Sequence, residues 1–256
     1  MSGFVDLHSH VLHGLDDGAR SLDQSVAMLT LARDGGTTDI VATPHANGRY
    51  RFRPDAIEER LAELNGRVPG ITVHRGCDFH LQVKNIDDAL DDPQKYTING
   101  RGYLMVEFPD TTIFPTSQEI LGELLDAGMR PVITHPERND YLQRHPEVLA
   151  RWIEDGCAVQ VTAASCVGLF GARPKAVALE LIARNCVHVI ASDAHDHQMR
   201  TPDMRPAYQA LVKAFGEDRI RPLFVDNPRA ALVGDDMPHV SSPTFGPARR
   251  WWQFWR

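Results

Sequence analysis

Seven short apolar runs alternate along this chain with helical patterns, and six of the seven carry a histidine or a carboxylate at or next to their carboxyl end. The runs are FVDLHSH (4–10), DIVATPH (39–45), ITVHRGCDF (71–79), YLMVEF (103–108), PVITHPE (131–137), AVQVTAA (158–164) and VHVIASDAH (187–195). Between them the apolar spacing predicts helices over 21–34, 54–66, 117–127, 146–155, 173–185 and 203–215. Ser21 is the expected N-cap of the first, Pro54 opens the second, and Gly35-Gly36, Gly128 and Gly156 stand where helices should stop. Alternating strands and helices imply a parallel sheet with right-handed crossovers. Seven units with no internal boundary, in a chain of 256 residues, favour barrel closure over an open sheet. The expected domain is 1–234, with an irregular insertion over 85–100 and a tail over 235–256.

Composition narrows the function. The chain carries 27 Lys and Arg against 34 Asp and Glu, a net charge of −7, and no basic stripe on an expected helix. Nucleic-acid binding is driven by neutralising phosphates, so it is not expected. Met1-Ser2-Gly3 leads straight into a polar motif, with neither a basic n-region nor an apolar h-region, and no apolar run could span a bilayer. The four cysteines form no CxxC pair. A reduced, cytoplasmic chain is expected.

The polar strand ends carry the chemistry. In a parallel barrel all carboxyl ends lie on one face. His8 and His10, His45, Asp78, Glu107, His135, Asp193 and His195 therefore gather at one mouth. His8 and His10 point the same way because alternate strand residues share a face. One histidine at a strand end is usually a satisfied structural residue, and HxH alone is a weak signal. Six strand ends together are far harder to explain that way. Nitrogen and oxygen donors without a thiolate suit Mn²⁺, Zn²⁺ or Fe²⁺ and do not suit a Cys-type zinc site.

DLHSHVLHGLDDG, TPH, VEF, ITHPER, IASDAH and FVDNPRAAL, spread over about residues 4–233, resemble the PHP (polymerase and histidinol phosphatase) family. Within it they are similar to the CpsB-type capsule and exopolysaccharide tyrosine phosphatases. The resemblance implies a distorted (β/α)₇ barrel with a multinuclear centre of two or three divalent ions, often manganese. It implies His8, His10, Asp17, His45, Asp78, Glu107, His135, Asp193 and His195 as ligands, with Asp78 and Glu107 bridging. Arg138 and Arg200 match the positions that hold phosphate. Asp78 stands where relatives usually carry Glu, and Asn139 where an aromatic is frequent.

The implied activity is metal-dependent hydrolysis of phosphotyrosine on a membrane-anchored tyrosine autokinase. A phenolate leaves with a pKa of about 10, so it needs less help from a general acid than an alkyl alcohol does. His13, His80 and His197 are spare histidines able to supply that proton. A cysteine-based C-x5-R mechanism is excluded, since Arg173 lies seven residues after Cys166 and the other cysteines come no closer. Rival readings are a histidinol-phosphate type phosphatase, a PHP nuclease, an amidohydrolase and a non-catalytic metal-stabilised module. An amidohydrolase would want a bridging lysine, and the fourth run ends in Glu107. The terminal ARRWWQFWR (248–256) suits a membrane interface, with packing onto the barrel or a subunit contact as the other readings.

Overall fold

The computed structural model describes residues 3–244. Seven strand runs each lead into helix. β1 (Phe4–Ser9) precedes α1 (Leu22–Asp34). The second run is broken into β2 (Thr37–Ala42) and β3 (His45–Ala46) before α2 (Pro54–Leu64). The third is broken into β4 (Thr72–Arg75) and β5 (Asp78–His80) before α3 (Val83–Asp91). There follow β6 (Tyr103–Glu107), α4 (Ser117–Asp126), β7 (Arg130–Thr134) and α5 (Glu147–Glu154). β8 (Ala158–Thr162) leads into α6 (Ala163–Val167) and α7 (Ala172–Ala183). β9 (Val189–Ala191) leads into α8 (Arg205–Phe215), α9 (Glu217–Phe224) and α10 (Asp226–Val233).

Every ladder is parallel. One sheet has the order β1-β2-β4 and the other β3-β5-β6-β7-β8-β9. The second and third runs pass from one sheet into the other. Pro44, which has no N–H to donate, sits in the first break. Gly76 sits in the second, where a Cβ would lie 2.7 Å from Val41 Cγ1. The ring closes where Ser9 pairs with Ala194, His10 N donates to Ala194 O and Asp193 N donates to His8 O. The result is a distorted (β/α)₇ barrel.

Strand alternation divides the apolar residues. Val5, Leu7, Val41, Met105, Val132, Ala158 and Val189 form one cluster within the barrel. Leu104, Val106, Ile133, Val159 and Ile190 face outward, against helix residues such as Leu124, Leu149 and Trp152. Burying a leucine-sized side chain contributes roughly 1.5–3 kcal/mol, so these two layers dominate the stability of the ring.

Three features depart from expectation. The stretch 85–100 is not irregular throughout, because α3 occupies Val83–Asp91 and a 3₁₀ turn covers Ile98–Gly100. α3 spaces Val83, Ile86, Ala89 and Leu90 as a helix does, but over nine residues only, a short window for a periodic signal. Two further helices, α9 and α10, follow the helix expected over 203–215. The described part of 235–256 runs along the barrel: Met237 is buried, His239 N donates to Asn227 Oδ1, and Thr244 N donates to Arg184 O. The segment 248–256 lies outside the described residues. Among the described residues no helix is long and apolar enough to cross a membrane.

One buried group makes the fold sensitive to acid. His188 Nδ1 accepts the N–H of Val159, while its own backbone N–H donates to Val159 O. Burial pushes this imidazole down to about 4. The folded chain therefore refuses a proton that the unfolded chain accepts between its ordinary value of 6.5 and about 4. Stability from the neutral ring is complete above that window and is lost as pH falls through it, by up to ~3 kcal/mol. His188→Asn should flatten this loss, measured as urea unfolding at pH 7 and pH 5. Equal pH slopes for the two proteins would refute the assignment.

Candidate metal centre

The sequence folds its polar strand ends into one mouth. His8 lies on β1 where the β1–β2 register shifts, and His10 follows the strand. His45 begins β3, Asp78 begins β5 and Glu107 ends β6. His135 and Asp193 follow β7 and β9 with left-handed backbones, φ 33° and 50°. Such conformations cost a non-glycine residue energy, and they cluster at sites whose surroundings enforce them. Asp193 and His195 lie beyond the end of β9 at Ala191, so strand alternation does not place them. The turn after Ala191 does.

Three donor groups overlap. His10, Asp17, His45 and His195 form one, His45, Asp78, His80 and Glu107 a second, and His8, His10 and Asp78 a third. In each, one donor atom per residue lies within 4.8 Å of the others. His45 Nε2 is 3.4 Å from Asp17 Oδ1, and His45 Nδ1 is 2.9 Å from Asp78 Oδ2. His135 Nε2 stands 3.3 Å from Glu107 Oε1. Asp193 Oδ1 stands 3.6 Å from His8 Nε2 and from His10 Nε2. All nine expected ligand positions thus converge. His13 does not; it faces Glu63 and Ser25. His197 contacts Gln198 at the surface.

Neighbours orient the rings. His8 Nδ1 donates to Gln160 Oε1 at 3.2 Å, His10 Nδ1 to Asp16 Oδ2 at 2.6 Å, and His195 Nδ1 to Asp193 O at 3.1 Å. Each acceptor holds the proton on Nδ1 and leaves the Nε2 lone pair for the mouth. Asp16 also accepts the N–H of Gly18 and of His45. Gly18 must be glycine, since a Cβ there would lie 2.1 Å from His10 O. Asp6 ties β1 to β9 by accepting the N–H of His8 and Ser192, and burial raises it to about 6. Glu137 of the HPER motif turns away and accepts from Thr162 N and Ser165 Oγ at the start of α6.

The electrostatics are those of a cation site. Burial and the neighbouring Glu107 oppose ionisation of Asp78, yet His8 and His45 hold it below the carboxylate range. Burial likewise opposes Glu107, and His135, His45 and His80 override it. For His10 burial opposes the charged form, and Asp16 pushes it up to about 9. Burial, with His10 close by, pushes His195 down to about 3. Several donors make no hydrogen bond: Nε2 of His8 and His10, Nδ1 of His45, both oxygens of Asp78 and Oε2 of Glu107. Buried lone-pair atoms facing one another need a proton or a cation between them, so the residues present fit a cluster of divalent ions.

Beside these donors lie the two arginines. Arg138 and Arg200 both reach Asp193 Oδ2, at 2.5 and 2.7 Å. Phe170 packs beneath them, its ring centroid 4.8 Å from Arg138 Cζ and 5.6 Å from Arg200 Cζ. A cavity of about 510 Å³ opens here, lined among others by Asp17, His45, Glu107, Arg138, Phe170 and Arg200. The four cysteines are buried and burial raises their thiols, to about 12 at Cys157 and Cys186. A thiolate nucleophile has no place in this mouth.

Sequence reasoning left Asp16 unassigned and missed Gln160 and Phe170. It named His80 only as a spare proton donor. A signal for His80 existed: D-F-H at 78–80 repeats the i, i+2 spacing of H-S-H at 8–10. For Gln160 and Phe170 there was none.

Known proteins share this architecture. The protein family described as capsular polysaccharide synthesis, CpsB/CapC, matches residues 4–233. The tyrosine-protein phosphatase YwqE of Bacillus subtilis is 34% identical over 218 residues, covering 84% of this chain and 86% of that protein. The tyrosine-protein phosphatase CpsB of Streptococcus pneumoniae is 30% identical over 238 residues, covering 90% and 98%. A crystal structure from work on these two proteins, described as unique metal-dependent tyrosine phosphatases, superposes with a TM-score of 0.89 at 31% identity, covering 96% of this chain and all of that one. A β-aspartyl dipeptidase from Fervidobacterium islandicum, at 12% identity and a TM-score of 0.58, shares the fold alone. With its match running from the first strand to the last helix, the chain belongs to the CpsB/CapC family of capsular polysaccharide synthesis.

Proposed function

We propose that this protein is a metal-dependent phosphotyrosine-protein phosphatase of polysaccharide synthesis, acting on a tyrosine-rich segment of a membrane-anchored autokinase. The observation that carries the reading is the meeting of a buried donor cluster and two arginines on one carboxylate, Asp193. His8, His10, Asp17, His45, Asp78, Glu107, His135, Asp193 and His195 would hold two or three divalent ions, Mn²⁺ in the first instance. Bound there, such ions supply Lewis acidity at phosphoryl oxygens and activate water at neutral pH.

The chain's own groups do the rest. Arg138 and Arg200 orient and neutralise the phosphoryl oxygens, and their shared anchor on Asp193 sets the angle between the two guanidiniums. Burial disfavours the Arg138 charge, and Asp193 restores it and raises the group above its ordinary value. Phe170 offers an aromatic face beside the phosphate position, suited to a phenyl ring. Gln160 and Asp16 keep His8 and His10 in the tautomer that turns Nε2 inward.

Steady-state hydrolysis of a phosphotyrosine peptide and of histidinol phosphate tests the reading. The peptide is expected to be preferred by at least ~100-fold in kcat/KM, from the better leaving group and the aromatic contact. Phe170→Ala should cost the peptide roughly 10-fold and the alkyl phosphate less. Preference for histidinol phosphate would move the assignment to small-molecule phosphatases. Metal loading without hydrolysis of either would favour a non-catalytic module.

A further inference from the structure

We infer that His80 is a direct ligand of one ion at this site, a tenth donor beyond the nine strand-end and loop positions named above. The inference rests on the metal-dependent reading of the mouth.

His80 and Asp78 are the two ends of β5 and share a strand face. The β5–β6 ladder is in register, and it sets His80 opposite Glu107. The His80 Nε2 atom accordingly meets Glu107 Oε2 directly. One donor atom each from His45, Asp78, His80 and Glu107 falls within a sphere of contact of 4.8 Å. Three of those side chains bring buried atoms with no hydrogen bond: His45 Nδ1, both oxygens of Asp78, and Glu107 Oε2. Four nitrogen and oxygen donors from three adjacent strands form the shell that first-row divalent ions take.

The surroundings fix the imidazole for this task. Asn85 Nδ2 donates to His80 O and to Ala46 O, which clamps the end of β5 against β3. Asn47 Nδ2 lies 3.4 Å from His80 Nε2, a long contact that an ion bound at this nitrogen would displace. His80 is absent from the lining of the 510 Å³ cavity, whereas His45 and Glu107 are part of it. A proton donor to the leaving group must reach that cavity; a ligand need only reach the ion. The geometry therefore favours ligation over general-acid catalysis.

The functional meaning is a tighter second subsite. Asp78 belongs to two of the donor groups, and an aspartate is short for a bridging role. A histidine two residues on adds a donor from the same strand to the group containing Glu107, so that ion does not depend on Asp78 alone.

The test is metal content and affinity in the full-length protein. Wild type, His80→Ala and His80→Asn would be stripped, reloaded with Mn²⁺ and assayed by plasma mass spectrometry. Chelator competition and the visible spectrum of the Co²⁺-loaded forms would follow. Both variants are expected to bind one ion ~100-fold more weakly, with the remaining ions unchanged and an altered Co²⁺ spectrum. Thermal melts of the metal-free forms, expected to match, separate this from misfolding, and His80→Asn keeps a polar group facing Glu107 should the alanine variant not fold. Unchanged stoichiometry, affinity and spectrum in the variants would overturn the inference while leaving the metal reading intact. A wild-type protein that takes up no divalent ion would overturn that reading as well.

Discussion

Stripping divalent ions from the protein should abolish its phosphatase activity and lower its melting temperature by roughly 5–10 °C, and Mn²⁺ should restore both. The size follows from linkage. A ligand at 100 times its Kd stabilises the folded state by about 2.7 kcal/mol, and in a chain of this size each kcal/mol moves the melting temperature by about 2–4 °C. Asp78→Asn should shrink the Mn²⁺-dependent shift and cut kcat/KM by at least ~1000-fold, because Asp78 sits in two of the three donor groups. Loading should also release protons, since Asp16 holds His10 up to about 9 against the effect of burial. Affinity then falls as pH falls below that value. Differential scanning fluorimetry with and without chelator, beside a turnover assay, checks these results. A melting temperature indifferent to Mn²⁺ would contradict the fit of the donor cluster.

The second large effect concerns the arginines. Arg138→Ala and Arg200→Ala should each lower kcat/KM for a phosphotyrosine peptide by ~100- to 1000-fold, the range for losing a preorganised charged donor at a reacting centre. The double variant should fall well short of the product of the two. Both guanidiniums hold Asp193 Oδ2, so removing either already loosens the carboxylate that positions the other. Arg138→Lys should recover little, because an ammonium cannot hold Asp193 and a phosphoryl group in one planar fork. Strict additivity across the double-mutant cycle would show that Asp193 does not couple them.

The barrel and its mouth were legible because they follow from two periodicities. Strands alternate and helices turn every 3.6 residues, so the runs ending at His45, Asp78 and Glu107 declare both their class and their polar ends. What stayed hidden depends on contacts between distant segments. Gln160 looks like any strand glutamine until β8 sets it below His8. Phe170 becomes a lining residue only when the turn after α6 folds over Arg138. The left-handed backbones at His135 and Asp193 leave no mark in residue type, since neither is glycine. α3 is hidden by its length: nine residues give its helically spaced apolar positions too short a window to stand out from the turns around them.

The division of the ring into two sheets has a mechanical consequence. β1, β2 and β4 carry His8 and lead to His10, whereas β3, β5, β6 and the segments after β7 and β9 carry the other strand-end donors. The joint between β1 and the segment after β9 is a single bridge at Ser9 and Ala194, flanked by the bonds of His10, Asp193 and Ser192 across it. An ion held by His8, His10 and Asp78 would tie the end of β1 to β5 across the mouth, and so one sheet to the other. Without it the mouth would lose that cross-tie, while each sheet keeps its own ladders.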